Sequence, residues 1–110
     1  MKKTNNEVLS DILMFALRDH RRTKGITKLE FLKNDVIQDA VLYALGQMGE
    51  KANKLDEAFI EKHSNIEWHS LIGLRNRMYH SYEDISLDFI FDICQVNIPK
   101  LVSALHEIME

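Results

Sequence analysis

Apolar positions recur along nearly the whole chain at spacings of three and four, and no stretch alternates with a period of two. Val8, Leu9, Ile12, Leu13, Phe15 and Ala16 make the first such set. Thr4-Asn5-Asn6-Glu7 stands in front of it as a capping box, in which a hydroxyl and a carboxylate satisfy amides at a helix start. The basic run His20-Arg21-Arg22-Thr23-Lys24 and then Gly25 close it, because cations suit the negative pole of a helix and glycine suits the residue beyond. The pattern predicts a first helix over about residues 5–23.

A second capping box, Thr27-Lys28-Leu29-Glu30, opens a long apolar set from Phe31 and Leu32 through Val36, Ala40, Ala44 and Met48 to Ala52. It predicts a long second helix with a break near Asn34. Gly46 and Gly49 lie inside it, where each weakens the helix by about 1 kcal/mol against alanine. The plain reason to keep them is close approach of a neighbouring helix. Asp56 can cap a short helix from Glu57 to about His63, and Ser64-Asn65 is a turn. Trp68, Leu71, Ile72, Leu74 and Met78 mark a further helix over about 67–79. Ser86 can cap the last, whose apolar face runs from Leu87 to Ile108. Pro99 lacks an amide hydrogen and clashes one turn back, so this helix should kink or restart near Asn97. The expected fold is an all-α bundle of four main helices plus a short one, forming a single domain over residues 1–110.

Composition narrows the classes. The chain has 110 residues, 45% hydrophobic and 28% charged, which excludes a disordered polypeptide. One cysteine, Cys94, excludes a disulfide scaffold and a four-cysteine zinc site, and its apolar surroundings read as a core thiol. MKKTNNEV has no apolar run behind its lysines, so no signal peptide is expected. No stretch reaches the ~18 apolar residues of a membrane span. A reducing cytoplasm is the expected location. The net charge of −3 argues against a broad nucleic-acid coat protein, but leaves room for a small basic site or one assembled by two chains. His20, His63, His69 and His106 show no metal-ligand spacing, so neither metal nor cofactor is expected.

The densest chemistry lies in Arg75-Asn76-Arg77-Met78-Tyr79-His80-Ser81-Tyr82. On a helix Asn76 and His80 share one face, while Arg75 and Tyr79 share another, with Tyr82 at an offset of seven. Arg75 and His80, five apart, point about 140° from each other. One chain therefore need not aim them at one atom, whereas a loosened helix end or a second subunit could. The bland alternative is a solvated charged face with a histidine at a helix's negative pole. Arg21, Arg22 and Lys24 could extend a basic groove, although a solvated helix end is their plainer role. Glu50 could reach the cluster and pair with Arg75, or lie on the surface. Trp68 reads as core or interface.

The cluster matches R-x-x-x-x-H-x-Y, and it resembles the signature of the HEPN superfamily in its HepT-like toxin branch. Gly46-Gln47-Met48-Gly49-Glu50-Lys51-Ala52 resembles the family's glycine-glutamate segment. Ile66-Glu67-Trp68 with Ile72-Gly73-Leu74-Arg75-Asn76 resembles the lead-in to the motif, and Ile98-Pro99 with Leu101 the closing helix. The likeness spans about residues 8–105. Ser81 departs from it, since an acidic residue is common there, and Glu83 is the neighbour that could compensate.

The resemblance implies a helical homodimer with metal-independent endoribonuclease activity and RNA as substrate. The implied roles suit the chemistry. An imidazole of ordinary pKa, about 6.5, can take the proton of a 2′-hydroxyl at neutral pH, which assigns His80 as base. The hydroxyl then attacks the adjacent phosphate and leaves a 2′,3′-cyclic phosphate. Arg75 offers planar donors to the developing charge, and Asn76 orients His80 or binds phosphate. Arg77 and Tyr79 are the expected RNA contacts. Relatives of this branch also imply a toxin–antitoxin pair, in which a cognate minimal nucleotidyltransferase antitoxin transfers AMP to the motif tyrosine, here Tyr82. Two other readings stand beside this one: a non-catalytic helical module that binds a nucleotidyltransferase, and a plain helical dimerisation domain.

Overall fold

The computed structural model describes residues 3–109; Met1, Lys2 and Glu110, the ends of the expected 1–110 domain, lie outside the described residues. Helix α1, Asn5–Thr23, begins at the expected box: the Thr4 hydroxyl accepts from the Glu7 amide at 3.2 Å, and the Glu7 carboxylate accepts from the Thr4 amide at 3.3 Å. It ends in a turn through Gly25, whose φ of +81° is the left-handed conformation that favours glycine. Thr27 and Glu30 form the second box, on α2, Lys28–Leu32.

The long second helix is two helices. Asn34 leaves helical geometry and its side chain accepts from the Ile37 amide at 3.1 Å, so it ends one helix and caps the next, α3, Asp35–Ala52. Gln38 donates to the Phe31 carbonyl at 2.9 Å and closes that corner. The short helix α4 covers Glu57–Lys62. Asp56 stands at its N-cap without a capping hydrogen bond, and its carboxylate accepts instead from the Asn5 amide nitrogen, Nδ2, at 3.4 Å.

Helix α5, Trp68–Ser81, runs two residues past the expected end and passes into a 3₁₀ turn, Tyr82–Asp84. Ser86 caps α6, Leu87–Asp92. The backbone then widens into a π-helical segment, Ile93–Asn97, before α7, Ile98–Met109. There the Ile98 amide donates to the Ile93 carbonyl, five residues back. The break thus falls where Pro99 requires it: the proline can supply no amide, and the wider turn reroutes the hydrogen bonds ahead of it.

Helix α3 packs between α1 and α5, α7 packs against α1, and α2 sits against α3 and α6. Leu9, Ile12, Phe31, Leu45, Met48, Ile90, Ile98 and Leu105 fill the shared core. Trp68 belongs to this core, 1% exposed, with its indole nitrogen donating to the His63 carbonyl at 3.0 Å. Among the described residues no helix is long and apolar enough to cross a membrane.

The two α3 glycines part company. A Cβ on Gly49 would run into the Leu71 carbonyl and stand 2.5 Å from the Arg75 Cβ, so only glycine lets α5 lie this close. A Cβ on Gly46 would meet only the Met78 sulfur, at 3.5 Å, an ordinary contact. Gly49→Ala should therefore destabilise the fold by about 1–2 kcal/mol, as overpacking outweighs the gain in helix propensity. Gly46→Ala should be neutral or stabilise by up to about 1 kcal/mol. Urea midpoints of the two variants check this; equal shifts of the same sign would show that α3 and α5 are not held so tightly at Gly49.

Candidate active site at the end of helix α5

Leu74 and Met78 are buried and fix the rotation of α5, which decides where each motif side chain points. Arg75 falls on the side facing α3. Its Nη2 lies 2.5 Å from Glu50 Oε2 and its Nη1 donates to Asn76 Oδ1 at 2.8 Å. Its guanidinium carbon stands 4.2 Å from the centre of the Tyr79 ring, a cation–π contact. Glu50, the residue after Gly49, is therefore part of the cluster. Glu50 Oε2 and Arg75 Nε are buried without a hydrogen bond, so charge rather than alignment holds this pair.

A carboxylate, an amide oxygen and an aromatic ring thus hold the guanidinium, and its two Nη groups carry more hydrogens than these contacts use. Both partners are partly buried, in surroundings where a charge interaction exceeds that of an exposed pair.

His80 lies elsewhere. It is exposed in the last turn of α5, near the helix's negative pole. Among the described residues none hydrogen-bonds its imidazole, and Asn76 is engaged with Arg75. The helix turns Arg75 and His80 about 140° apart. The structure thus gathers Arg75, Asn76, Tyr79 and Glu50, leaves His80 one turn beyond Asn76 and turned away from Arg75, and sets Arg77 on another face. Arg77 lines a groove of about 580 Å³ between α5 and α7, with Phe89 and Lys100. Tyr79 is 66% exposed, and Tyr82, in the 3₁₀ turn beyond the helix, is 51% exposed. Ser81 and Glu83 are exposed too. Among the described residues no three His, Cys, Asp or Glu side chains are gathered to hold a metal ion.

The basic end of α1 is less simply solvated than its composition suggests. Arg22 pairs at 3.0 Å with Asp19, which is fully buried. The sign was present in the spacing: Ile12, Ala16, Asp19 and Thr23 follow one another at four, three and four, on the buried face.

The family described as "Ribonuclease HepT-like" matches residues 10–108. A protein of Caldanaerobacter subterraneus subsp. tengcongensis, provisionally named an RNase, is 31% identical over 108 residues, covering 98% of this chain and 96% of that one. A provisionally named RNase of Methanocaldococcus jannaschii is 34% identical over 100 residues, 91% of this chain and 92% of its own. A protein of Thermococcus cleftensis whose name provisionally assigns it as the ribonuclease HepT is 26% identical over 101 residues, 92% of each chain. No solved structure matches. With nearly its whole length matched, the chain belongs to the HepT-like ribonuclease family of the HEPN superfamily.

Proposed function

We propose that this protein is a metal-independent endoribonuclease that cleaves RNA by attack of the 2′-hydroxyl on the adjacent phosphate. The observation that carries this is the clamped Arg75 on the same helix as an exposed, unengaged His80. Arg75 keeps its charge and plane fixed, with little reorganisation needed to receive a phosphate. The His80 imidazole takes the 2′-hydroxyl proton, the oxygen closes on phosphorus, and the 5′-oxygen leaves with a proton from solvent or a second general acid. Asn76 holds Arg75 in place, and Arg77 and Tyr79 contact the RNA strand.

The active unit is a homodimer over residues 1–110. In an isologous interface the same patch meets itself. Arg75 of one copy and His80 of the other can then flank a single phosphate, which removes the 140° divergence within one helix. Two copies of Arg75 in one cleft also supply local positive charge on a protein of net charge −3. Function is in the cytoplasm, as the toxin of a toxin–antitoxin pair. Expression should arrest growth, and His80→Ala should lift the arrest while light scattering still finds a dimer. Equal toxicity of wild type and His80→Ala would sink the proposal.

Control acts through Tyr82. A minimal nucleotidyltransferase antitoxin transfers AMP from ATP to its hydroxyl, with release of pyrophosphate. Each AMP adds a phosphodiester charge and a bulky base beside the site, and both oppose RNA. Both tyrosines are exposed, but Tyr82 lies beyond the helix end while the Tyr79 ring is engaged with Arg75, which supports Tyr82 as the acceptor. Protein made together with the antitoxin should gain mass in steps of one AMP, carried on the tryptic peptide with Tyr82. An unshifted Tyr82 peptide from an inhibited sample would exclude this mode of control.

A further inference from the structure

Away from the motif, α1 meets the π segment through a small polar seam. Asp19 is 0% exposed. Its Oδ1 accepts from Arg22 Nη1 at 3.0 Å, but its Oδ2 is buried with no hydrogen-bond partner. The two other polar groups at the seam are already committed to backbone carbonyls. The Thr23 hydroxyl donates to the Asp19 carbonyl at 2.8 Å, and Gln95 Nε2 donates to the Thr23 carbonyl at 2.9 Å. Gln95 and Cys94 both belong to the π segment, whose register is already an alternative to the α-helical one.

A carboxylate with an unpaired oxygen is costly in such a place, while a neutral carboxyl is far less so. We propose that Asp19 and the π segment facing it form a pH-sensitive joint: the carboxyl is neutral while the seam is closed, and its ionisation loosens the contact between the end of α1 and Ile93–Asn97. The ionised oxygen needs a donor: the Thr23 hydroxyl, with its one hydrogen, can serve it only by releasing the Asp19 carbonyl, and the Gln95 amide, neither of whose N–H groups reaches it, only by turning its side chain. Gln95 is the hydrogen bond that ties the segment to α1, so ionisation acts on the joint itself.

The electrostatics agree. Burial pushes the Asp19 carboxyl up to about 7, against the opposing pull of Arg22. Arg22, on the same helix, and the Cys94 thiol, on the π segment, are the titratable groups that interact with it; no group of α3 or α7 enters, among the described residues. The thiol is itself pushed up to about 12, by burial first and then by the Asp19 charge, with Thr23 opposing. It therefore stays neutral through this range.

The sign follows from linkage. Between the ordinary aspartate value of 3.8 and about 7, the folded state keeps a proton that the unfolded state has released. Stability is therefore greatest on the acid side and falls as pH rises towards 7, then levels off. The unfolding constant of the wild type should climb relative to Asp19→Asn by about tenfold per pH unit between pH 5 and 7. Urea titrations across pH 5–8.5 read this directly, and parallel curves for the two proteins would overturn the joint.

If Asp19→Asn does not fold, the wild type still decides by NMR. The Asp19 side-chain carboxyl carbon should titrate near 7, and titration near 4 would overturn the proposal. Amide exchange in Ile93–Asn97 should also accelerate through neutral pH more steeply than intrinsic exchange does. A merely intrinsic slope there would show that ionisation does not open the seam.

Discussion

His80→Ala should lower the rate of RNA cleavage by about 10²–10⁴-fold, the usual contribution of a positioned general base. The residue is exposed at the end of α5, and none of the described residues hydrogen-bonds its side chain. Removing it leaves no cavity and no unsatisfied partner, so the fold should hold, with the urea midpoint unchanged within about 0.5 kcal/mol. A collapse of activity with preserved stability is the signature of a chemical role. A loss of stability with it would instead make His80 a favourable cation at the helix's negative pole. Single-turnover cleavage of a labelled oligoribonucleotide, read beside denaturation of the same samples, separates the two.

Arg75→Lys should cost about 10²–10³-fold in the same assay. The clamp explains why charge alone is not enough. Arg75 makes an ion pair with Glu50, a hydrogen bond with Asn76 and a face contact with Tyr79 at once. A planar guanidinium does this and still has N–H groups left for phosphate, whereas a lysine ammonium is a point charge on a flexible stem. Lysine keeps a cation near Glu50, so the partly buried carboxylate is not stranded as it would be by Arg75→Ala. The loss should appear in kcat more than in KM, because the interaction strengthens as charge builds on the phosphoryl oxygens. Wild-type kcat in the Arg75→Lys enzyme would assign the arginine to structure alone.

Most of the fold was legible because helices announce their ends locally. The boxes at Thr4–Glu7 and Thr27–Glu30, the turn at Gly25 and the break before Pro99 all appear where the residues require them. What spacing cannot show is how one helix meets another. The apolar period runs on across Asn34, and the cap on the Ile37 amide shows that the expected break there separates two helices outright. Gly46 and Gly49 look alike in sequence, and only the path of α5 makes the second one indispensable. The same contact brings Glu50 to Arg75, a pairing the sequence left open. Asp19 was hidden differently: a charge on a buried face is read as surface until its phase along the helix is followed.

The motif's geometry has the same limit. Helical spacing places Arg75 and His80 apart, and the structure keeps them apart. Their convergence on one phosphate is a property of the proposed dimer.

The chemistry of the RNA ends tests the central claim most directly. Purified protein, with EDTA present, should cut a labelled RNA at discrete positions and leave 2′,3′-cyclic phosphate and 5′-hydroxyl ends, by mass spectrometry of the fragments. His80→Ala treated alike should leave the RNA intact. Fragments ending in 5′-phosphate and 3′-hydroxyl would contradict 2′-hydroxyl attack. An intact RNA after incubation with a protein whose mass shows Tyr82 unmodified would contradict the ribonuclease itself.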